Sequence, residues 1–241
     1  MKSFIKNKGK ISFTYKDVGL QGEFMNYCRL EAWKLAINKY NIDKSEILDV
    51  GCSYGSWYEN WIELGFRDLN GADVNEPVIE EARKKYNRVE NVTNSSLYKE
   101  YKRKFKTVGS NGVLVHILKD NEVTNFCKDI FDILEDDGYF MVSILPAEYY
   151  SYGIEQYNND NCVRTLEHNI KIIEKSGLKI VDKIGTFINP WYSKDFEWIA
   201  NSDKMKSNPE TFESFAKLSD LLRSETIVPF SEILLVCQKG K

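Results

Sequence analysis

The stretch Ile47-Leu48-Asp49-Val50-Gly51-Cys52-Ser53-Tyr54-Gly55 decides how the chain is organised. A short apolar run carrying one acid ends in a turn with a glycine on either side. Ser56 to Leu64 then reads as a helix, with Trp57, Trp61 and Leu64 at i, i+4 and i+7 on one face. Strand, glycine turn and helix make a cofactor-binding unit. Glycine permits unusual backbone angles and close approach of a ligand, and the helix start offers unpaired N–H groups. A dinucleotide fingerprint would need three glycines in the order G-x-G-x-x-G. The matching positions hold Gly51, Ser53 and Ser56, so the turn is poorly suited to a diphosphate.

Further strand and helix signals alternate on both sides. Leu20 to Tyr40 has a helical apolar pattern, and Asn41 is suited to end it. A second strand spans Asp68 to Asp73, and Asn75 with Pro77 marks the start of the next helix. A third strand covers Val89 to Val92 and a fourth Phe105 to Ser110. Asp120 is the expected cap of a helix running to Asp136, stopped by Gly138, with the fifth strand at Tyr139 to Leu145. A helix from Leu166 to Ser176 follows a tyrosine-rich loop, and Leu178 to Ile188 and Ser231 to Lys239 are the last strands. This alternation predicts an α/β fold with a mainly parallel sheet and helices on both faces. Residues 1–45 read as an N-terminal arm and cap helix, and 46–241 as the main domain. The connection 189–229 is an aromatic-rich insertion on the acceptor side of that domain.

Composition narrows the function. A chain of 241 residues with formal charge −3 has no overall basic field for a nucleic-acid backbone. No apolar run reaches the ~20 residues needed to span a bilayer. The five cysteines are scattered, without a C-x-x-C pair, and only two histidines are present. This pattern predicts no metal site and a reducing, cytoplasmic setting. The abundance of Lys, Asn and Ile is that of an AT-rich bacterial genome.

The run Asp49-x-Gly51-x-Ser53-x-Gly55 resembles motif I of the class I, Rossmann-like S-adenosylmethionine (SAM)-dependent methyltransferases, with Ser53 in place of the middle glycine. Gly71-Ala72-Asp73-Val74-Asn75-Glu76-Pro77 resembles their motif II. The stretch Ser110-Asn111-Gly112-Val113-Leu114-Val115-His116-Ile117 is similar to the fourth-strand loop of small-molecule members, with Val115 replacing the first of two histidines. The resemblance implies a seven-stranded sheet with an antiparallel last strand. It implies SAM as cofactor and S-adenosylhomocysteine (SAH) as product. The cofactor would lie over Asp49, Gly51, Cys52, Ser53 and Gly55. Asp49 would attract the methionyl ammonium, directly or through water. Asp73, with Val74 beside it, would accept from the ribose hydroxyls. An acid that often meets the adenine amino group is missing after the third strand, where only Asn94, Ser95 and Ser96 stand. Backbone carbonyls near Ser110 and Asn111 would face the methionyl end. His116 is the one imidazole placed to act as a base, set against a structural role in its loop.

The reading is methyl transfer to an O or N atom of a small molecule, a sugar or a biosynthetic metabolite. Nucleic-acid or membrane partners are not expected, and the oligomeric state is open. Two alternatives stand beside it: a non-catalytic SAM-binding subunit and an NAD-binding oxidoreductase.

Overall fold

A computed structural model describes residues 19–93, 95–150, 155–157, 160–192 and 196–240. Residues 1–18 of the N-terminal arm, Asn94 and residues 151–154 of the tyrosine-rich loop therefore lie outside the described residues. The first half runs α1 (Gly19–Lys39), β1 (Glu46–Val50), α2 (Tyr58–Leu64), β2 (Asp68–Asp73), α3 (Glu76–Ala82), β3 (Arg88–Asn91), α4 (Leu97–Tyr101) and β4 (Phe105–Ser110). A 3-10 turn (Leu114–His116) leads to α5 (Asp120–Ile133), β5 (Leu134–Ile144), α6 (Ala147–Tyr150), β6 (Gln156–Tyr157) and β7 (Cys162–Val163). The remainder is α7 (Leu166–Glu174), β8 (Leu178–Phe187), α8 (Glu197–Ala200), α9 (Asp203–Lys206), α10 (Pro209–Leu222) and β9 (Glu232–Lys239).

Seven strands form one sheet in the order β3-β2-β1-β4-β5-β9-β8, and β6 and β7 pair separately. The first five are parallel, and β9 runs antiparallel between β5 and β8. The expected mainly parallel sheet with an antiparallel last strand is thus the architecture found. Strand order reverses between β1 and β4, and open α/β sheets leave a ligand crevice beyond such a point.

Side-chain alternation explains the two cores. Leu48, Val50, Ile233, Leu235 and Cys237 enter one buried cluster with α5 and α7. Ile47, Leu234 and Val236 enter the other, with Trp33, Trp57 and Trp61. The three tryptophan rings touch one another at centroid distances of 4.9 to 5.4 Å. They brace the glycine turn from behind, as the shared face of Trp57, Trp61 and Leu64 predicts.

Four local expectations change. The helix before β5 ends at Ile133, not Asp136, because Leu134 already pairs with Phe105 in the sheet. Gly138 therefore does not cap it; a side chain there would meet the Lys106 carbonyl at 2.9 Å. The position before α5 is Lys119, and Asp120 spends its carboxylate on Arg164 and His168 instead of a cap. Asn75 does stand at the start of α3, but its side chain makes no capping bond. Asn41 behaves as expected: its φ of 47° is left-handed, and the Ile42 N–H reaches back to the Ile37 carbonyl at 3.0 Å.

Phe212 and Phe215 of the insertion join the first of the two buried clusters, and Trp191 and Phe196 pack against it. Trp191 stacks on Phe212 at 5.0 Å, Phe196 meets Phe215 edge-on, and Phe24 of α1 packs against Phe212. No described residue of 189–229 lines the main cavity. Trp191, Phe196, Phe212 and Phe215 are thus placed for packing and not on the wall of that cavity. No helix among the described residues is long and apolar enough to cross a membrane.

Candidate active site

A cavity of about 740 Å³ lies over the carboxyl ends of β1, β2 and β4, within the size range of small-molecule sites. Its floor is the turn after β1. Gly51 has φ +81°, and a Cβ there would stand 2.1 Å from Val113 Cγ2. The fourth-strand loop therefore closes onto this glycine. Gly55, with φ +74°, backs onto Lys85 and Tyr86 away from the cavity wall. Ser53 takes a left-handed φ of 50°, in the place where the family motif has glycine.

That bend aims the Ser53 N–H at Asp73. It donates to Oδ2 at 2.8 Å, while the Asn75 N–H donates to Oδ1 at 2.9 Å. Both carboxylate oxygens of Asp73 are held by the backbone, and the group still lines the cavity. Each oxygen has a further lone pair, so a vicinal diol meets a fixed pair of acceptors. Val74 beside it is exposed and presents an apolar face to the same space.

Asp49 is placed differently from the expectation. Its carboxylate is buried and Oδ2 accepts from Trp61 Nε1 at 2.9 Å and from Tyr86 OH at 2.5 Å. Along β1 it shares the side of Ile47, whereas Val50 reaches the cavity; alternation turns Asp49 into the tryptophan cluster. Burial pushes its pKa up to about 6, against the lowering effect of the two hydrogen bonds. Asp49 holds the turn in shape from behind and is absent from the cavity wall.

Cys52 is also turned inward, under Gly71, with its thiol held in the protonated form by burial and by the charges of Asp49 and Asp73. Ser95 lines the cavity and donates to Glu100. Ser96 does not line it; its hydroxyl caps α4 by accepting from the Lys99 N–H at 3.4 Å. Ser110 is buried outside the wall, its hydroxyl without a partner among the described residues. Asn111 lines the cavity, and its Oδ1 accepts from Ser143 Oγ at 2.8 Å. Ser143 in turn accepts from the Gly112 N–H at 2.9 Å. This short chain fixes the loop that carries His116.

His116 is exposed and lines the cavity. Its Nδ1 lies 3.2 Å from the Asp160 carbonyl, which can only accept. The hydrogen therefore sits on Nδ1, and a neutral ring keeps its lone pair on Nε2. The loop below is anchored by Arg164, which donates to the carbonyls of Ile117 and Leu118 and to Asp120. His168 bridges Asp120 and Glu155 at 2.9 and 2.8 Å. These links tie the 3-10 turn to α7.

Several wall residues lie outside the motifs. Met25 and Arg29 come from α1, Phe126 and Asp129 from α5, and Tyr150, Asn161 and Val163 from the segment after β5. Among the described lining residues Arg29 carries the one Lys or Arg charge, and it is paired with buried Glu232. A diphosphate would find no uncompensated basic residue among them. A diol-bearing nucleoside without phosphates fits the fixed Asp73 carboxylate and the glycine floor better.

Comparison with known proteins agrees. A family model described as a methyltransferase domain matches residues 22–199. A SAM-dependent methyltransferase from Clostridium acetobutylicum ATCC 824 superposes with a TM-score of 0.61. It is 13% identical, over 89% of this chain and 92% of that one. The CcbJ methyltransferase from Streptomyces caelestis gives 0.58 at 12% identity, over 89% and 90% of the two chains. The glycopeptide N-methyltransferase MtfA, solved with sinefungin, gives 0.56 at 11%, over 88% and 86%. At such identities the likeness is one of fold. No curated protein matches the sequence. With the family model spanning most of the chain, over a cavity built around Gly51 and Asp73, this protein belongs to the methyltransferase-domain family.

Proposed function

We propose that this protein transfers a methyl group from SAM to an O or N atom of a small-molecule acceptor. The observation that carries the reading is Asp73, its two oxygens oriented by the N–H groups of Ser53 and Asn75 at the edge of the cavity. When bound, SAM supplies an electrophilic methyl on a positively charged sulfur. Asp73 would hold the ribose diol, with Gly51 and Ser53 under the sugar and Asn111 near the amino-acid end. The chain's main contribution is alignment, because a bound acceptor and methyl at near-attack distance need little further activation.

For a hydroxyl acceptor, His116 Nε2 would take the proton released as the new bond forms. The hydrogen bond from Nδ1 to the Asp160 carbonyl supports that tautomer. The acceptor would occupy the end of the cavity lined by Met25, Tyr150, Asn161 and Val163. The small-molecule reading is supported by the size of the cavity and by the acidic formal charge of −3. The test is SAH release from SAM against a panel of phenols, sugars and amines. Release with at least one of them, lost in Asp73→Ala, is expected; binding of SAM with no release from any class would instead favour a non-catalytic subunit.

A further inference from the structure

If SAM is the ligand, its sugar fixes where the base must go. The ribose carries its sulfonium arm on C5′ and its base on C1′, at opposite sides of the ring. With the diol on Asp73, the arm points to the β1 and β4 loops at Gly51, Asn111 and His116. The base is then left for the side of β2 and β3. Asp73 and Asn91 are paired neighbours in those strands, and the Val92 N–H donates to the Asp73 carbonyl at 3.1 Å. From there the cavity wall passes through Val92, Ser95 and Leu97 to Phe126 and Asp129 on α5. Val92, Leu97 and Phe126 give a flat base apolar surfaces to lie against.

Among the described residues the hydroxyls of this wing are neutral acceptors: Ser95 Oγ donates to Glu100 and keeps its lone pairs, and Ser96 Oγ lies off the wall, capping α4. The acid expected after β3 is absent from the sequence. Asp129 differs. It is half-buried, and among the described residues it has no hydrogen-bond donor and no cation within ion-pair distance. The neighbouring charges are Asp132, one turn along α5, and Lys99 of α4. Burial, then the Asp132 charge, raise its pKa above the usual carboxylate range, the mark of an acceptor short of donors. A desolvated carboxylate gains more from one well-placed N–H than an exposed one does.

We propose that Asp129 of α5 accepts a hydrogen bond from the exocyclic amino group of the adenine, replacing from a different element the acid that β3 lacks. The proposal rests on the SAM reading given above. It makes Asp129 a determinant of base identity: a 6-amino purine donates to it, whereas a 6-oxo purine turns a lone pair toward it.

The test is calorimetric titration with SAH and with its 6-oxo counterpart, S-inosylhomocysteine. Wild type should prefer the 6-amino nucleoside by about tenfold or more, the worth of a hydrogen bond to a charged group. Asp129→Ala should lose about that factor for SAH and lose the preference. Asp129→Asn can turn either its carbonyl or its amide to the base, so it should bind the two nucleosides nearly alike; this variant decides the matter if the alanine variant does not fold. Equal weakening toward both nucleosides, or an unchanged preference in the variants, overturns the role of Asp129 while leaving SAM binding intact. Failure of wild type to bind either nucleoside overturns the SAM reading itself, and the role of Asp129 with it.

Discussion

The Ser53 N–H donates to Asp73 Oδ2 at 2.8 Å, and this bond joins the glycine turn after β1 to the tip of β2. Ser53 can make it because its φ of 50° turns the amide toward the neighbouring strand. The turn and the acid thus form one unit. Replacing Asp73 removes both a ligand contact and the acceptor that orients the turn. Asp73→Ala should lower SAH affinity by at least tenfold, since hydrogen bonds to charged groups contribute ~1.5–3 kcal/mol. Asp73→Asn should fall between, because its single amide oxygen replaces two acceptors for the Ser53 and Asn75 N–H groups. Calorimetry checks both, and unchanged affinity in the alanine variant removes the ribose assignment.

Asp49 gives a prediction in pH. Its pKa is about 6 in the fold, raised chiefly by burial, against 3.8 for an ordinary aspartate. An acid with a raised folded pKa binds its proton more tightly in the native state. Wild type is therefore favoured by this group below about pH 4 and loses that advantage as pH rises through 6. The shift corresponds to roughly 3 kcal/mol, as an order of magnitude. Urea unfolding of wild type and Asp49→Asn between pH 4 and 7 should show the wild type losing stability relative to the variant across this window. Parallel curves would mean that Asp49 does not titrate as described.

Gly51 and Val113 form the tightest approach in the floor of the site. Gly51→Ala must place a methyl 2.1 Å from Val113 Cγ2 and accept a φ of +81°. The backbone part alone costs ~1–2 kcal/mol, and the clash adds to it. Combining it with Val113→Ala should recover the clash and leave the backbone cost. Thermal melting of the two single variants and the double variant measures the coupling; strict additivity would contradict the contact.

His116→Ala should reduce turnover of a hydroxyl acceptor by ~10²–10⁴-fold, the usual worth of a positioned base. SAH affinity should change little, because the cofactor contacts are assigned elsewhere. Equal losses in turnover and in SAH affinity would instead point to a structural role for the loop that Arg164 and Asn111 hold.

Much of this was legible in the sequence, for identifiable reasons. The apolar run ending in Asp49-Val50-Gly51, and the repeat of strand and helix signals after it, specify a parallel sheet because only short local patterns are needed. Asp73 could be placed because it ends its strand beside a helix start. The orientation of Asp49 was not legible from its motif: two residues at a strand tip face opposite sides, and the deciding partners, Trp61 and Tyr86, lie in other elements. The pairing of Arg29 was not legible because its partner Glu232 lies at the far end of the chain. The remaining walls of the cavity come from α1, α5 and the segment after β5, so no single motif contains them. The aromatic residues of 189–229 read equally well as a ligand surface or a core; for Trp191 and Phe212 the stack of one on the other and the contact with Phe24 of α1 separate the two.

The central claim is that the cavity above Gly51 holds SAM through the carboxylate of Asp73. Calorimetric titration of SAH and of NADH into wild type and Asp73→Ala tests it most directly. Saturable binding of SAH at one site per chain, strong weakening in the variant, and no binding of NADH are expected. Tight NADH binding, or SAH binding indifferent to residue 73, would contradict it.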